Sequence, residues 1–182
     1  MNANARNTLA CLFVLGAAGL AGCGQAPSDG APAAGPSASA PAAPAARRYP
    51  EGMFEHPAAG GLRAGGQCAL DRIDKQPVGA MPYEVGSERL FAGWFLPPKG
   101  VDTAQPLLVL SDGSRHFAHA IRTGGRRDDV AKRLERPEAA TSGYNARVTL
   151  ANLPAGDYSV WFVQEGEGGF RCDTRKTITV SN

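Results

Sequence analysis

Residues 107–122, LLVLSDGSRHFAHAIR, predict a β-hairpin. The stretch begins with a short apolar run, continues through the turn pair Asp112-Gly113, and ends in an alternating run over 114–122. An apolar run, a turn pair and an alternating run in this order are typical of two antiparallel strands joined by a tight turn. On one face of the second strand we expect Phe117, His119 and Ile121.

Five further stretches resemble the hairpin strands, being short, rich in Val, Leu, Phe and Trp, and bounded by turn residues. They are 67–73, 89–96, 147–153, 157–164 and 170–180. Seven short strands at this spacing predict an all-β fold, an immunoglobulin-like β-sandwich. The one helical candidate is 128–136 (DDVAKRLER), with Asp128 as its cap and Val130 and Leu134 facing inward. It is short enough to be a helical connection within a β-domain.

The first residues of the chain indicate export. Arg6 gives a weak positive charge, and 9–20 (LACLFVLGAAGL) is an apolar segment too short to span a bilayer, which takes about 20 residues. The end of this segment and the three residues after it, Leu20-Ala21-Gly22-Cys23, resemble the lipobox of bacterial lipoproteins. An ordinary cleaved signal followed by an incidental cysteine is the alternative.

The lipobox resemblance implies a signal peptide at 1–22 and a lipidated Cys23 as the mature N-terminus. Two or more acyl chains on that cysteine suffice for stable membrane anchoring. Gly24 follows, instead of the aspartate that commonly marks retention in the inner membrane, so the resemblance implies an outer-membrane lipoprotein. We expect the lipid to be the contact with the membrane, on either the periplasmic or the cell-surface side.

A tether is predicted between the lipid and the folded domain. Residues 24–46 are almost wholly Ala, Pro, Gly and Ser, a composition that cannot bury enough apolar surface to offset the entropy of ordering. The segment up to residue 66 stays rich in Gly and Pro. We therefore assign 23–66 to the lipidated cysteine and its tether, and 67–182 to one β-sandwich domain.

Cys68 and Cys172 remain once the signal peptide and the lipid site are set aside. In an exported domain cysteines persist as disulfides, so we predict that these two pair. The bridge would close a loop of about 100 residues and stabilise the fold by about 4–5 kcal/mol in the chain-entropy model. Free or metal-binding thiols are the alternative, although neither cysteine has the CxxC spacing or an adjacent histidine.

An ordered set of short motifs then runs through 90–163. The first two are a Gly-Trp strand at Gly93-Trp94 and a hairpin close to Val-x-Val-Asp-Gly at 108–113. An Arg-x-Asp-Val segment at 127–130 and a Gly-aromatic step at Gly143-Tyr144 follow, and the last is a Leu-x-x-Gly-x-aromatic turn at 153–158. This order resembles the small β-sandwich modules appended to bacterial membrane-associated glycosyltransferases. The resemblance implies a sandwich and an accessory role, and the chain departs from it by lacking a transferase domain and adding the lipobox and the cysteine pair.

Catalytic and metal sites are not predicted. His116 and His119 are three apart in a predicted strand and should point to opposite faces, which disfavours a shared metal. Ser111 or Ser114 could be combined with His116 and Asp112 as a nucleophile–base set, but Ser-Asp-Gly-Ser is better explained as turn chemistry. No GxSxG or SxxK motif occurs, and no cofactor is expected.

The candidate binding residues lie in two polar segments. Arg122, Arg126 and Arg127 could form a docking surface for an anionic glycan, lipid headgroup or acidic partner. Alternatively, Asp128 and Asp129 neutralise Arg126 and Arg127 internally, the interpretation we favour. The second segment is a predicted hairpin tip and a candidate contact loop; its acidic residues are Glu165 and Glu167.

The sequence therefore predicts a non-catalytic binding or envelope-accessory module whose partner is an envelope protein or a glycan. A formal net charge of +2 disfavours nucleic acid as the partner. An envelope inhibitor, immunity or superinfection-exclusion lipoprotein is the first alternative, acting through the 165–169 loop. A hydrolytic enzyme is the second, and it would require Ser114 or His116 in a pocket.

Overall fold

The computed structural model describes residues 49–99, 105–166 and 168–182. The predictions made for the signal peptide, for Cys23, for the tether up to residue 48 and for Glu167 fall outside these residues. Within them the chain forms short strands, one α-helix and two 3₁₀ turns at Pro57–Gly61 and Pro137–Thr141. The strands and the helix are β1 Phe54–Glu55, β2 Arg63–Ala64, β3 Gln67–Ile73, β4 Gln76–Pro77, β5 Tyr83–Glu84, β6 Glu88–Leu96, β7 Leu107–Ser111, β8 His116–Ala120, α1 Asp128–Leu134, β9 Gly143–Thr149, β10 Gly156–Gln164 and β11 Phe170–Ser181.

The strands form two sheets, one of seven strands and one of four, which confirms the all-β prediction. The larger sheet has the order β1-β8-β7-β10-β11-β2, with β5 also pairing with β11, and the smaller has the order β4-β3-β6-β9. Pairing is antiparallel except for β2 and β5, which run parallel to β11. The β7–β8 hairpin predicted from LLVLSDG is present, with Ser111 paired to His116.

The main core lies between the two sheets and follows the predicted alternation. From β10 it takes Tyr158, Val160 and Phe162, as the sequence indicated. The opposite face of the same sheet carries a second apolar cluster that includes Val109 and Val163. Strand β7 is buried on both of its faces, which explains its uninterrupted apolar run.

Residues 49–64 form the layer over this second cluster. Strand β1 pairs with β8 at one edge of the large sheet, and β2 pairs with β11 near the other. Between them Ala59 and Leu62 pack on the sheet. Here the folded domain differs from the predicted boundary at residue 67, because glycines and prolines that were interpreted as tether shape tight turns across a sheet face.

The 121–142 connection covers part of the outer face of the small sheet. Val130 of α1 and Ala139 pack on Trp94 and Leu96, with Leu134 beside them. The inward face predicted for the helix is therefore confirmed. Asp128 does not cap the helix but is its first residue, because Arg127 occupies the capping position.

Strand β9 differs from its prediction. The sequence placed it at 147–153, whereas it occupies Gly143–Thr149. Its first half was missed because 143–146 (GYNA) contains no Val, Leu or Phe, and its end was placed too late because Leu150 and Leu153 are buried although the chain has already turned. Asn152 has a φ of 66°, which a strand does not allow.

The turn before β10 is fixed by a tyrosine. The Tyr158 hydroxyl donates a 2.7 Å hydrogen bond to the carbonyl oxygen of Pro154, and its ring is 1% exposed in the main core. We predict that Tyr158→Phe lowers the free energy of unfolding by about 1 kcal/mol in a urea titration. Tyr83→Phe is the matched control, since the buried Tyr83 hydroxyl lies near the Gly79 backbone without a well-formed hydrogen bond and its removal should cost less than about 0.5 kcal/mol. Equal losses in the two variants would contradict this role for Tyr158.

Candidate functional site

Cys68 and Cys172 form a disulfide, which confirms the predicted pairing. The bridge links β3, the first strand of the small sheet in chain order, to β11, the last strand of the large sheet in chain order, with 6.2 Å between the two Cα atoms. Cys172 is buried in the main core and Cys68 packs against it. The free-thiol and metal-thiol alternatives are therefore excluded for this pair.

The arginine-rich connection is paired internally, as the favoured interpretation had it. Arg126 donates to Asp128 at 2.6 Å. Arg127 donates to both oxygens of Asp129 at 2.9 and 2.8 Å, and to Asp71 of β3 at 2.7 Å. A guanidinium that holds two carboxylates fixes the start of α1 on the small sheet.

A polar cleft of 430 Å³ lies beside this ion-pair cluster on the small sheet. Its lining consists mainly of charged side chains and of small residues from β6 and β9: Asp71, Arg72, Ala92, Gly93, Gly125, Arg126, Arg127, Asp129, Gly143, Tyr144 and Asn145. Beside the cleft the backbones at Gly143 and Gly125 approach closely, because a Cβ on Gly143 would lie 2.7 Å from the Gly125 carbonyl oxygen. Its size is that of a small ligand or of one side chain of a partner.

Charges in the cleft are stabilised and do not suit proton transfer. The Arg127 guanidinium lowers the pKa of Asp129 to about 2, and Asp129 in turn raises the pKa of Arg127. Burial raises the pKa of Tyr144 well above its usual value. A general acid or base near neutral pH needs a pKa near 7, so these groups are better suited to recognition than to acid–base catalysis.

Ser111 and His116 are brought together beside the turn of the β7–β8 hairpin, where both are buried. The His116 Nδ1 lies 2.9 Å from the Ser111 Oγ, and the two residues are 8% and 2% exposed. Trp161 packs on the imidazole with ring centroids 5.3 Å apart, and a Cβ on Gly60 would lie 2.5 Å from its Nε2. No substrate could reach either atom. The contact between the two side chains therefore stabilises the hairpin.

Ser114 is not part of that pair. It is exposed, and its hydroxyl donates to the Asp112 carboxylate at 2.9 Å, while the backbone amides of Ser114 and Arg115 donate to the same oxygen. This confirms the turn-chemistry interpretation.

His119 lies on the face of β8 opposite His116, and burial lowers its pKa.

The other candidate binding residues are separated in the structure. Glu165 accepts hydrogen bonds from the Tyr49 hydroxyl at 2.8 Å and contacts the His56 ring at 2.9 Å, so it secures the layer of residues 49–64 to the end of β10. Its side chain is only 19% exposed, which does not favour a free contact loop. Arg122 is exposed at the end of the β8 hairpin arm.

Sequence reasoning missed the small-sheet residues of the cleft, Asp71, Asn145 and Tyr144. The motifs Gly93-Trp94 and Gly143-Tyr144 occupy paired positions on β6 and β9, but this pairing is a property of the fold and not of either motif alone. Both glycines are required by close backbone approach, a reason that is not visible before the strands are paired.

Comparisons of the chain with models of protein families, with curated proteins and with solved structures found no match. In the described ranges, no helix is both long and apolar enough to cross a bilayer. Among the same residues, no three His, Cys, Asp or Glu side chains are grouped as metal ligands.

Proposed function

We propose that this chain is a lipid-anchored binding module of the bacterial outer membrane, in which Cys23 carries the lipid and the β-domain recognises another component of the envelope. The observation that carries the proposal is the polar cleft, in which Arg127 holds Asp71 and Asp129 beside an accessible sheet surface. Arg127 and Asp129 hold each other in the charged form, and a fixed ion pair of this kind is suited to recognition rather than to acid–base catalysis.

Export to an oxidising compartment is supported by the disulfide. A bridge between the first long strand and the last persists where thiols are not kept reduced, as in the periplasm and at the cell surface. The lipobox supplies the address and the membrane contact.

An immunoglobulin-like identity for the sandwich is part of the proposal. It is supported by the strand orders β3-β6-β9 and β8-β7-β10-β11, which place the long strands in two antiparallel layers. Tyr158 supports it further, since a tyrosine near the start of a strand that bonds back to the preceding corner is a feature of such domains.

The hydrolase alternative receives no support from the groups that the sequence offered for it. The Ser111–His116 pair is covered by Gly60 and Trp161, and Ser114 is held by Asp112. We therefore place the module's activity in binding.

The test is cross-linking of the full-length protein in intact cells, followed by mass spectrometry. We predict that the wild-type N-terminal peptide starts at an acylated Cys23, that the protein fractionates with the outer membrane, and that it captures one envelope component reproducibly. The control is Cys23→Ser, which should be released from the membrane and lose that capture. An unmodified Cys23, or the same capture by both forms, would contradict the proposed anchor; capture of abundant neighbours alone would contradict the binding role.

A further inference from the structure

We infer that the free edge of β9 is the docking site for an extended segment of a partner protein, which adds to the small sheet as a fifth strand. This inference rests on the proposed binding function and specifies its partner chemistry. It is carried by three features of the described residues: the direction of the β9 backbone groups, the partial pairing or irregularity of the other sheet edges, and the position of the polar cleft beside β9.

The backbone of β9 has a row of groups directed away from β6. Ser142 and Leu150, at the two ends of β9, bond to Phe95 and Ser87 on the β6 side. Alternate residues of a strand bond to opposite neighbours, so Tyr144, Ala146 and Val148 also face β6. The intervening residues direct their N–H and C=O groups outward; they are Gly143, Asn145, Arg147 and Thr149.

The contact at Gly143 shows that an outward-facing residue of β9 can form backbone hydrogen bonds with a neighbouring segment. Its N–H and C=O exchange hydrogen bonds of 2.9 Å with Gly125 as an antiparallel bridge. The chain then leaves the edge for α1, and no described residue forms a backbone bridge to Asn145, Arg147 or Thr149 on this side. An extended peptide has the repeat of donors and acceptors that would continue the pairing Gly125 begins.

The other sheet edges are only partly paired or are irregular. In the large sheet β1 pairs with two residues of β8, and β2 and β5 pair with the two ends of β11, while the middle of β11 is interrupted by a register shift against β10. In the small sheet β4 pairs with β3, whose register also shifts between Leu70 and Arg72. By contrast, β9 keeps an unshifted register with β6 from Gly143 to Thr149. Proteins generally protect open edges, so a regular strand left uncovered beside a cleft is suited to strand addition.

The cleft gives the added strand a basis for specificity. Alternate side chains of a strand beside β9 would lie on the outer face next to Asn145, within the area bordered by Arg126 and Asp129. Because both signs of charge line this cleft, it suits a polar or charged side chain of the partner. Backbone pairing would supply affinity and this side chain the selectivity.

A partner protein fits the edge better than a second copy of this chain. Suppose that two copies pair through this edge and that Asn145, Arg147 and Thr149 of both copies all form backbone hydrogen bonds. Two-fold symmetry would then place Arg147 directly opposite Arg147 of the other copy. Like charges at directly opposed positions destabilise a sheet pair. The occupant we assign is therefore an extended segment of another protein.

The first experiment locates the contact with the full-length anchored protein in cells. A photo-reactive amino acid is placed at Asn145 in one strain and, as the matched control, at exposed Lys176 of the other sheet in a second strain. We expect the Asn145 probe alone to give a cross-link to one contiguous partner segment, which mass spectrometry identifies. Cross-links confined to Lys176 would overturn the edge assignment while leaving the binding function intact, and no capture from either position would contradict both.

The second experiment tests backbone pairing with the captured segment as a synthetic peptide. Arg147→Pro removes one outward N–H without touching the β6–β9 ladder, and Arg147→Ala removes the side chain but keeps the N–H. We expect proline to weaken peptide binding about tenfold or more and alanine less than about threefold. Equal effects would overturn the proposal.

Hydrogen exchange provides a measurement that needs no variant. Bound peptide should slow exchange at the amides of Asn145, Arg147 and Thr149, while those of Tyr144, Ala146 and Val148 are already protected by β6. Unchanged exchange at the three outward amides in the complex would overturn strand addition. A self-associating protein whose dimer is lost in Arg147→Pro would instead make a second copy the occupant and overturn the partner assignment.

Discussion

Loss of the Cys68–Cys172 disulfide should lower the free energy of unfolding by about 4–5 kcal/mol, the loss expected in the chain-entropy model for a bridge between residues 104 apart. The cysteines join strands from different sheets near opposite ends of the domain sequence. Without the bond, the chain between the two cysteines gains more conformational entropy on unfolding. Since domains of this size are stable by about 5–15 kcal/mol in total, this loss would remove about a third or more of the stability.

The measurement is urea unfolding of wild-type protein with and without reductant, beside the double variant Cys68→Ser/Cys172→Ser. Reduced wild type and the double variant should unfold at the same urea concentration, well below that of oxidised wild type. Reductant should not affect the double variant, which controls for effects unrelated to the bridge. A loss below about 1 kcal/mol in the double variant would mean that the bridge does not restrain the unfolded chain as argued.

Most of the long strands could be predicted because their signal is local. A strand with one face in the core alternates apolar and polar residues, and β10 shows this in Tyr158, Val160 and Phe162. The disulfide could be predicted from cysteine count and compartment. The all-β class and the β7–β8 hairpin followed from the same short-range patterns.

The cleft and the layer of residues 49–64 could not be predicted, because both depend on which strands lie side by side. Arg127 meets Asp71 across 56 positions in the chain, and nothing near either residue indicates the partner. Phe54 and Leu62 lie in a Gly/Pro-rich segment whose composition is equally typical of a tether. The short strands β1 and β2 form because the edges of an existing sheet offer them hydrogen bonds.

Replacing Gly93 by alanine should destabilise the domain by about 3 kcal/mol or more. A Cβ at this position would lie 2.1 Å from the carbonyl oxygen of Ala69 and 2.7 Å from the Tyr144 hydroxyl oxygen. Overpacking usually costs about 1–3 kcal/mol, because side chains can shift. Here the nearest obstacle is the backbone of β3, which is paired with β6 and cannot move without breaking that pairing.

Thermal and urea unfolding of Gly93→Ala, compared with Gly61→Ala, would measure this effect. Gly61 is the matched control because a Cβ there meets nothing within 4 Å, so its substitution should change stability by less than about 0.5 kcal/mol. Adding Tyr144→Phe to Gly93→Ala removes the hydroxyl but leaves the Ala69 carbonyl in place, so it should restore only a minor part of the loss. Full recovery in that double variant would show that the tyrosine, not the β3 backbone, requires glycine here. Equal stability of the two alanine variants would contradict the close β3–β6 packing around which the cleft is built.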